Sequence, residues 1–294
     1  MKKFIAIGIS LLLLLTVCVC VTWKERTPAL SMANSKDAVS VAETPTPTEE
    51  PTPTPEPEDH ISPIMGKRLS ELTGNHQWGV YTFSDGRTYK NDSQSVPSAS
   101  VVKLFIMEYI YHHIHNVGDI SPDDTIGGRT IKSLVFDMVA KSDNEATNLV
   151  IRKFGMDTLN QFFASKGYTG TRLERKMLDY DAMAAGKENY TSVDDVMTFL
   201  KKVYENKEET LYADMLYIMK QQVRTWKIPE KLPEGVVVAN KTGELDTVEN
   251  DVGIVFSEHG DYIVIFLSSK IDDKDGTIDA IANTSRDLYD YLAS

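Results

Sequence analysis

The sequence predicts an α/β fold in which an antiparallel sheet is flanked by helices and has an all-helical lobe beside it. Strand signals stand at both ends of residues 64–294, which we expect to form one domain. Helical spacing fills the middle, from about residue 99 to residue 225. Strands from both ends can share one sheet only if the helical segment covers that sheet or lies beside it.

The strands are predicted from short apolar runs bounded by turns. Gly79–Phe83 and Arg87–Tyr89 flank Ser84-Asp85-Gly86, and an Asp-Gly pair favours a tight hairpin turn. Later strands are expected at Val236–Lys241, Asp251–Phe256 and Tyr262–Ser268. The final segment, Thr277–Leu292, has helical spacing, and Thr277 is a suitable N-cap.

The first 23 residues are predicted to be a signal peptide or an N-terminal membrane anchor. Lys2 and Lys3 precede an uncharged, mostly apolar run from Phe4 to Val21. Lys24-Glu25-Arg26 follows closely, which favours an anchor, while Ser31-Met32-Ala33 resembles a cleavage site. We therefore expect an extracytoplasmic protein that is either held at the membrane by this segment or secreted.

Residues 24–63 are predicted to be a disordered linker rich in proline, threonine and glutamate. Within it, residues 44–58 read TPTPTEEPTPTPEPE, and proline at every second or third position prevents helix and sheet formation. The linker is expected to hold the domain away from the membrane.

Charge and cysteine content exclude several classes of protein. The formal net charge of −12 argues against a nucleic-acid partner, because phosphate binding requires a basic face. Both cysteines, Cys18 and Cys20, lie in the N-terminal segment, so the exported part has neither a disulfide nor a cysteine nucleophile. We expect a monomer that contacts the membrane only through that segment.

A serine and a lysine stand three residues apart in VPSASVVKLF (residues 96–105), which begins an apolar helix. Ser100 and Lys103 therefore share one helix face. Burial lowers the pKa of a lysine, so a neutral Lys103 can take the proton of the Ser100 hydroxyl. About one S-x-x-K is expected by chance in a chain of this length, so the pair can also be a helix cap and a solvent-reaching lysine.

Two further motifs strengthen the catalytic interpretation. KSDNEATN (141–148) begins a helix and ANKTGEL (239–245) ends a strand. Taken singly, they are also typical of a helix cap and of an edge-strand turn. S-x-x-K, S-D-N and K-T-G, each once and in this order, have a chance probability on the order of one in a thousand.

With these motifs and TRLERKMLD (171–179), the chain from residue 64 onward resembles the class A β-lactamases and related penicillin-recognising serine hydrolases. The resemblance implies a β-lactamase/D,D-peptidase-like fold and a catalytic domain over residues 64–294. It implies that Ser100 is acylated, that Lys103 is its activating base and that Ser142 passes a proton to the leaving group.

The resemblance also implies the substrate-binding residues. Asn144 would hydrogen-bond the substrate amide, and the Lys241-Thr242-Gly243 segment would bind the substrate carboxylate. The main-chain N–H groups of Ser100 and Glu244 would form the oxyanion hole. No cofactor or metal is implied.

The sequence departs from the family's pattern in the loop that follows residue 171. Met177 stands where class A β-lactamases carry the glutamate that activates the deacylating water, and a thioether cannot accept a proton. Glu174, Asp179 and Asp181 are nearby carboxylates that a shifted loop could present instead. Counting on without gaps, Tyr190 replaces the aspartate that would pair with Arg175, so that salt bridge is expected to be absent and the loop less rigid.

Glu244 and the histidines each leave two interpretations. A small residue usually follows K-T-G, and the charge of Glu244 could repel a substrate carboxylate or attract an amine, or its side chain could face solvent. His112, His113 and His115 could hold zinc, but no further ligand stands at a suitable spacing, which favours a solvated helix end.

We therefore expect an exported serine hydrolase that is acylated at Ser100 by β-lactams or related cell-wall amides, with deacylation impaired. One alternative is a D,D-peptidase-like peptidoglycan enzyme. The other is a binding module that holds β-lactams or cell-wall fragments without turnover.

Overall fold

A computed structural model describes residues 58–294, and a five-stranded antiparallel sheet forms its middle layer. The strands are β1 (Asn75–Thr82), β2 (Thr88–Lys90), β3 (Val96–Pro97), β4 (Thr125–Ile126), β5 (Arg129–Thr130), β6 (Tyr190–Thr191), β7 (Val237–Leu245), β8 (Val248–Phe256) and β9 (Tyr262–Ser269). The order across the sheet is β2-β1-β9-β8-β7. Because β1 pairs with β9, strands from both ends of the domain share one sheet, as predicted.

The helices are α1 (Ile61–Leu69), α2 (Lys103–His112), α3 (Ile131–Ala140), α4 (Asn144–Phe154), α5 (Met156–Ser165), α6 (Tyr180–Ala184), α7 (Val193–Glu205), α8 (Thr210–Met219) and α9 (Lys274–Leu292). A 3₁₀ turn, Ala99–Val102, leads into α2. Helices α1 and α9 pack on one face of the sheet, and the helices between β2 and β7 form the lobe on the other side. The α/β fold predicted from the sequence is confirmed.

Alternation along β9 shows how the sheet serves two cores. Ile263 and Ile265 face the helical lobe, whereas Val264 and Phe266 face the layer formed by α1 and α9. A strand covered on both faces has no solvent side, which explains why this segment is apolar throughout rather than alternating.

Helix α2 runs through the lobe with nearly every side chain buried, as its all-round apolar sequence predicts. Its two charged residues are therefore unusual. Glu108 accepts hydrogen bonds from Lys202 Nζ (3.0 Å) and Tyr168 Oη (2.8 Å), and this pairing compensates its burial. Lys103, at the start of the helix, has a different set of partners.

The described residues contain no helix that is both long and apolar enough to span a membrane. The predicted signal or anchor over residues 1–23 lies outside them, as does most of the 24–63 linker. The predicted boundaries of these segments stay predictions.

Candidate active site

Ser100 lies in the 3₁₀ turn before α2, and the turn is held close to strand β7. Ala99, the residue before it, adopts a left-handed backbone with φ of 46°. A Cβ on Gly243 would lie 2.8 Å from the Ser98 carbonyl oxygen and 3.2 Å from the Ser100 nitrogen. Only glycine lets β7 pass this close to the turn. The Ser100 hydroxyl makes no hydrogen bond to any other described residue.

Lys103 is fully buried and links α2 to the loop between α3 and α4. Its Nζ donates to Asn144 Oδ1 (2.8 Å), to the Ser142 carbonyl oxygen (2.9 Å) and, at 3.4 Å, to Ser142 Oγ. Burial lowers the pKa of Lys103 to about 7, and the positive charge of Arg224 acts in the same direction. A substantial fraction of Lys103 is therefore neutral at neutral pH.

Ser142 lies between two buried lysines. It follows the C-terminal end of α3 in a left-handed conformation, with φ of 59°, which directs the chain into α4. Lys241 Nζ, from β7, donates to Ser142 Oγ at 3.0 Å. Burial, and then the nearby Lys103 charge, hold the pKa of Lys241 well below its usual range. We call Ser100, Lys103, Ser142 and Lys241 the acylation centre.

Asn144 and Thr242 stand beside the acylation centre. Asn144 is the first residue of α4, and its Oδ1 is engaged by Lys103. Thr242 is 1% exposed, and its hydroxyl has no hydrogen-bond partner among the described residues. A buried hydroxyl without a partner is uncommon in proteins, so this group is available to a ligand.

Arg224 is a residue of the site that the sequence analysis missed. Its Nη1 donates to Glu244 Oε2 at 2.6 Å, and the preceding residue, Val223, bonds through its N–H to the Ala140 carbonyl oxygen at 3.1 Å. The segment is thus fixed to the end of α3, next to Ser142. Glu244 was a detectable signal, because a carboxylate beside K-T-G needs a nearby cation.

Glu244 is ion-paired rather than turned to solvent. Lys227 Nζ also approaches Glu244 Oε1, at 3.3 Å. Burial raises the pKa of Glu244, but the Lys227 and Arg224 charges more than offset this and leave the pKa below its usual value. The carboxylate is therefore ionised at neutral pH, and of the alternatives left open by the sequence, the one in which it faces solvent does not hold.

The loop formed by residues 171–190, called here the Ω loop, places Met177 against α4. Asn148 Oδ1 accepts from the Met177 N–H at 2.9 Å, and Asn148 Nδ2 donates to the Met177 carbonyl oxygen at 3.0 Å. Asn148 lies one turn after Asn144 on the same helix. The Met177 side chain is 7% exposed and belongs to the apolar core of the lobe.

The base of the Ω loop is pinned, which corrects one expectation. Arg175 is 4% exposed and forms an ion pair with Glu188 (2.7 Å), so the predicted absence of a salt bridge is wrong. The partner stands two residues before Tyr190, the position reached by ungapped counting. Asn160, on α5, further holds the loop by bonding both the N–H and the carbonyl oxygen of Leu173.

The three candidate carboxylates of the Ω loop, Glu174, Asp179 and Asp181, have different surroundings. Glu174 accepts a hydrogen bond from Arg172 Nε (2.7 Å), which lowers its pKa. Asp179 caps α6 by accepting from the Ala182 N–H, and the Asp181 side chain is exposed. In residues 58–294 no hydrogen bond joins Glu174, Asp179 or Asp181 to the acylation centre.

The histidines on and after α2 have individual partners. His113 pairs with Asp119 (2.8 Å), and His115 lies 3.5 Å from Asp214. Over the described part of the chain, no group of three or more His, Cys, Asp or Glu side chains is placed to hold a metal ion.

A family model and a curated relative both match this chain to beta-lactamases. Residues 59–292 match the model of the beta-lactamase enzyme family. A beta-lactamase of Bacillus licheniformis is 25% identical over 177 residues, and this match spans 58% of the chain and 58% of that relative's length.

Solved structures show the same fold. The beta-lactamase of Sphaerobacter thermophilus superimposes with a TM-score of 0.70 at 23% identity, covering 79% of this chain and 97% of its own. An ancestral class A beta-lactamase gives a TM-score of 0.72 at 18% identity, covering 79% of this chain and 100% of its own. PBP-A superimposes with a TM-score of 0.69 at 21% identity, covering 82% of this chain and 99% of its own.

Proposed function

Because the chain belongs to the beta-lactamase enzyme family, we propose that it is a serine hydrolase that is acylated at Ser100 and deacylates slowly. Its substrates are β-lactams or the peptidoglycan stem peptides that β-lactams resemble. The observation that carries the proposal is the buried Lys103, which lies one turn from Ser100 and bonds to Ser142 and Asn144.

Acylation begins with proton transfer from the Ser100 hydroxyl to neutral Lys103. The freed oxygen attacks the substrate carbonyl carbon, and the main-chain N–H groups of Ser100 and Glu244 stabilise the negative charge that develops on the carbonyl oxygen. Burial of Lys103 supports this role, since a lysine with a pKa of about 7 is a base near neutral pH.

Expulsion of the leaving nitrogen requires a proton, and Ser142 supplies it. Its hydroxyl gives a proton to the nitrogen as the C–N bond breaks, and it regains one from Lys103 or Lys241, both within hydrogen-bond range. The substrate carboxylate lies near the unpartnered Thr242 hydroxyl. Asn144 binds the amide of the acyl side.

Deacylation requires a water molecule to lose a proton as it attacks the Ser100 ester. The Ω-loop position held by Asn148 carries Met177, which cannot take that proton. A missing general base typically costs ~10²–10⁴-fold in rate. In PBP-A, which has a similar fold, a leucine-to-glutamate variant is described as an acyl-enzyme complex with penicillin G, so this fold can hold such an adduct.

Met177 also favours a second candidate function, a D,D-peptidase-like enzyme that acts on stem peptides. Such an enzyme needs acylation and then transfer to an amine or to water, and its natural adduct can be far less stable than a penicilloyl ester. A binding module without turnover is the further possibility that the experiment separates.

We also propose that the domain works outside the cytoplasm, with residues 1–23 as an anchor or signal. The apolar run from Phe4 to Val21 supports this location. Fractionation of cells expressing the full chain tests it: the protein should be in the membrane fraction or the medium, and a cytoplasmic pool would contradict the proposal.

Intact-mass measurement after incubation with benzylpenicillin tests the proposed function. The expected result is one adduct with the mass of the antibiotic, which persists as unbound antibiotic is removed. No adduct, with the fold intact, would contradict acylation, whereas rapid loss of the adduct would contradict slow deacylation. A D-alanyl-D-alanine peptide offered in parallel distinguishes a peptidase from a module without turnover.

A further inference from the structure

The charges beside strand β7 form a cluster in which carboxylates partly neutralise cations. Thr242 and Glu244 are two residues apart on β7, so their side chains lie on the same face of the sheet. Glu249, on β8, pairs directly opposite Glu244. We use the name charge cluster for the five residues Arg224, Lys227, Glu244, Glu249 and Lys274.

The cluster has an inner and an outer part. Lys227 is fully buried and lies between Glu244 (3.3 Å) and Glu249 (2.7 Å), while Lys274 pairs with Glu249 from outside at 3.1 Å. Arg224 keeps 33% of its side chain exposed, and, unlike the more exposed Lys274 (43%), it contacts Glu244 beside the K-T-G segment, so it is the cluster's cation nearest the site. Its nearest carboxylate is Glu244, at 2.6 Å.

Arg224 acts on the acylation centre through its charge, which lowers the pKa of both Lys103 and Lys241. Lys241 is fully buried, and its Nζ already donates to Ser142 Oγ (3.0 Å) and to the Thr242 carbonyl oxygen (2.7 Å). Arg224 is the partly exposed cation beside K-T-G that can attract a substrate carboxylate from solvent. Glu244 opposes that attraction, because a second carboxylate must share or displace its short hydrogen bond.

We propose that Glu244 is a specificity-determining residue that occupies Arg224 and thereby removes the preference for a free carboxylate on the leaving side, so that amides and β-lactams with and without that group are accepted alike. The proposal rests on the proposed function, since it assigns the substrate class of the same site. It also rejects the amine-binding interpretation of Glu244, because that carboxylate already has two cationic partners.

The test compares benzylpenicillin with its methyl ester, which share a ring system and differ in the carboxylate. The second-order acylation rate is measured for each by intact mass, and the carboxylate-to-ester ratio is the readout. For the unmutated chain we expect a ratio within about threefold of unity. Glu244→Gln should raise the ratio about tenfold or more, through the carboxylate probe, because Arg224 is released.

Glu249→Gln is the matched control, because it removes the same charge from the cluster without touching Arg224. It should leave the ratio unchanged. An equal rise in Glu249→Gln, or no rise in Glu244→Gln with its melting temperature preserved, would overturn the proposal.

Arg224→Gln gives an independent check if Glu244→Gln does not fold. It should change the carboxylate rate less than about threefold, since Glu244 already occupies the arginine. A loss of about 100-fold confined to the carboxylate probe would show a fully available anchor and overturn the inference. Failure of both probes to form any adduct would instead remove the proposed function, and this inference with it.

Discussion

The acylation centre and the Ω loop are held in place by hydrogen bonds of similar length, yet they present different chemistry. In the acylation centre, Lys103 and Lys241 converge on the Ser142 hydroxyl, and Ser100 lies one turn away. In the Ω loop, Asn148 holds both main-chain groups of Met177, but the side chain presented there is a thioether. The acylation centre carries ionisable side chains, whereas position 177 of the Ω loop does not.

The difference shows that the hydrogen bonds that fix a loop's backbone do not depend on which side chain the loop carries at its reactive position. The bonds that hold the Ω loop run from Asn148, Asn160 and Asn189 to main-chain atoms, so they form whichever side chain stands at position 177. In the acylation centre the side chains are themselves the partners, so removing one alters both geometry and chemistry. The backbone at position 177 can therefore stay in place when its side chain changes, but a charged side chain there enters a buried, apolar position.

The largest expected effect is complete loss of the covalent adduct in Ser100→Ala. The Ser100 hydroxyl has no partner among the described residues. The free energy of unfolding of the variant should therefore lie within about 0.5 kcal/mol of that of the unmutated domain. Intact mass and peptide mapping after incubation with benzylpenicillin provide the measurement. An adduct that persists on Ser98 or Ser142 would contradict the assignment.

Lys103→Met should slow acylation by ~10²–10⁴-fold, because no other base lies one turn from Ser100 in the described site. In the unmutated protein the acylation rate should rise with pH through about 7, as Lys103 loses its proton. A flat pH profile, or wild-type acylation by Lys103→Met, would show that the lysine only packs.

The same lysine predicts how stability changes with pH. Unfolded, Lys103 keeps its proton up to pH about 10.5, whereas the folded state releases it near 7. The unfolded state thus binds more protons between these values, so the free energy of unfolding should rise with pH across that window. Chemical denaturation at several pH values should show a smaller rise of the free energy of unfolding in Lys103→Met than in the unmutated protein. The lowered pKa of Lys241 contributes in the same direction.

Met177→Glu should accelerate deacylation by up to ~10²-fold, because it adds a carboxylate at a position whose backbone is already fixed. The measurement is the rate at which the penicilloyl adduct disappears. Met177→Gln is the control of similar size, and it should give no gain because an amide is not a base. Equal acceleration by both variants would point to loosened packing instead.

The smallest expected effect is on stability. Asn148→Leu removes two partly buried hydrogen bonds and should lower the free energy of unfolding by about 1–3 kcal/mol, with acylation changed less than threefold. Asn160→Leu is matched, since it removes the same kind of clamp from Leu173. When each variant is combined with Met177→Glu, only Asn148→Leu should reduce the gain in deacylation rate. An equal reduction by Asn160→Leu would contradict the view that Asn148 positions residue 177.

Much of the fold could be predicted because its signals are local or periodic. The apolar runs predicted β7, β8 and β9, and the all-round apolar helix predicted the burial of Lys103. The three motifs predicted which side chains would be close together, and Lys103, Ser142, Asn144 and Lys241 are in contact. Their catalytic roles stay predictions.

The remainder depended on contacts that no spacing encodes. The Arg175 partner was wrong because ungapped counting pointed to Tyr190, whereas Glu188, two residues earlier in the loop, supplies the carboxylate. Arg224 was missed because no motif marks its segment, which reaches the site through tertiary contacts to Ala140 and Glu244. Both depend on tertiary packing.

The central claim is that acylation is intact while deacylation lacks its base, and pre-steady-state hydrolysis of a chromogenic cephalosporin tests it most directly. We expect a burst of one product per active site followed by a slow steady state. Met177→Glu should shorten the slow phase and leave the burst rate unchanged. Rapid multiple turnover by the unmutated protein, without a burst, would contradict the account and show that Glu174, Asp179 or Asp181 already activates water.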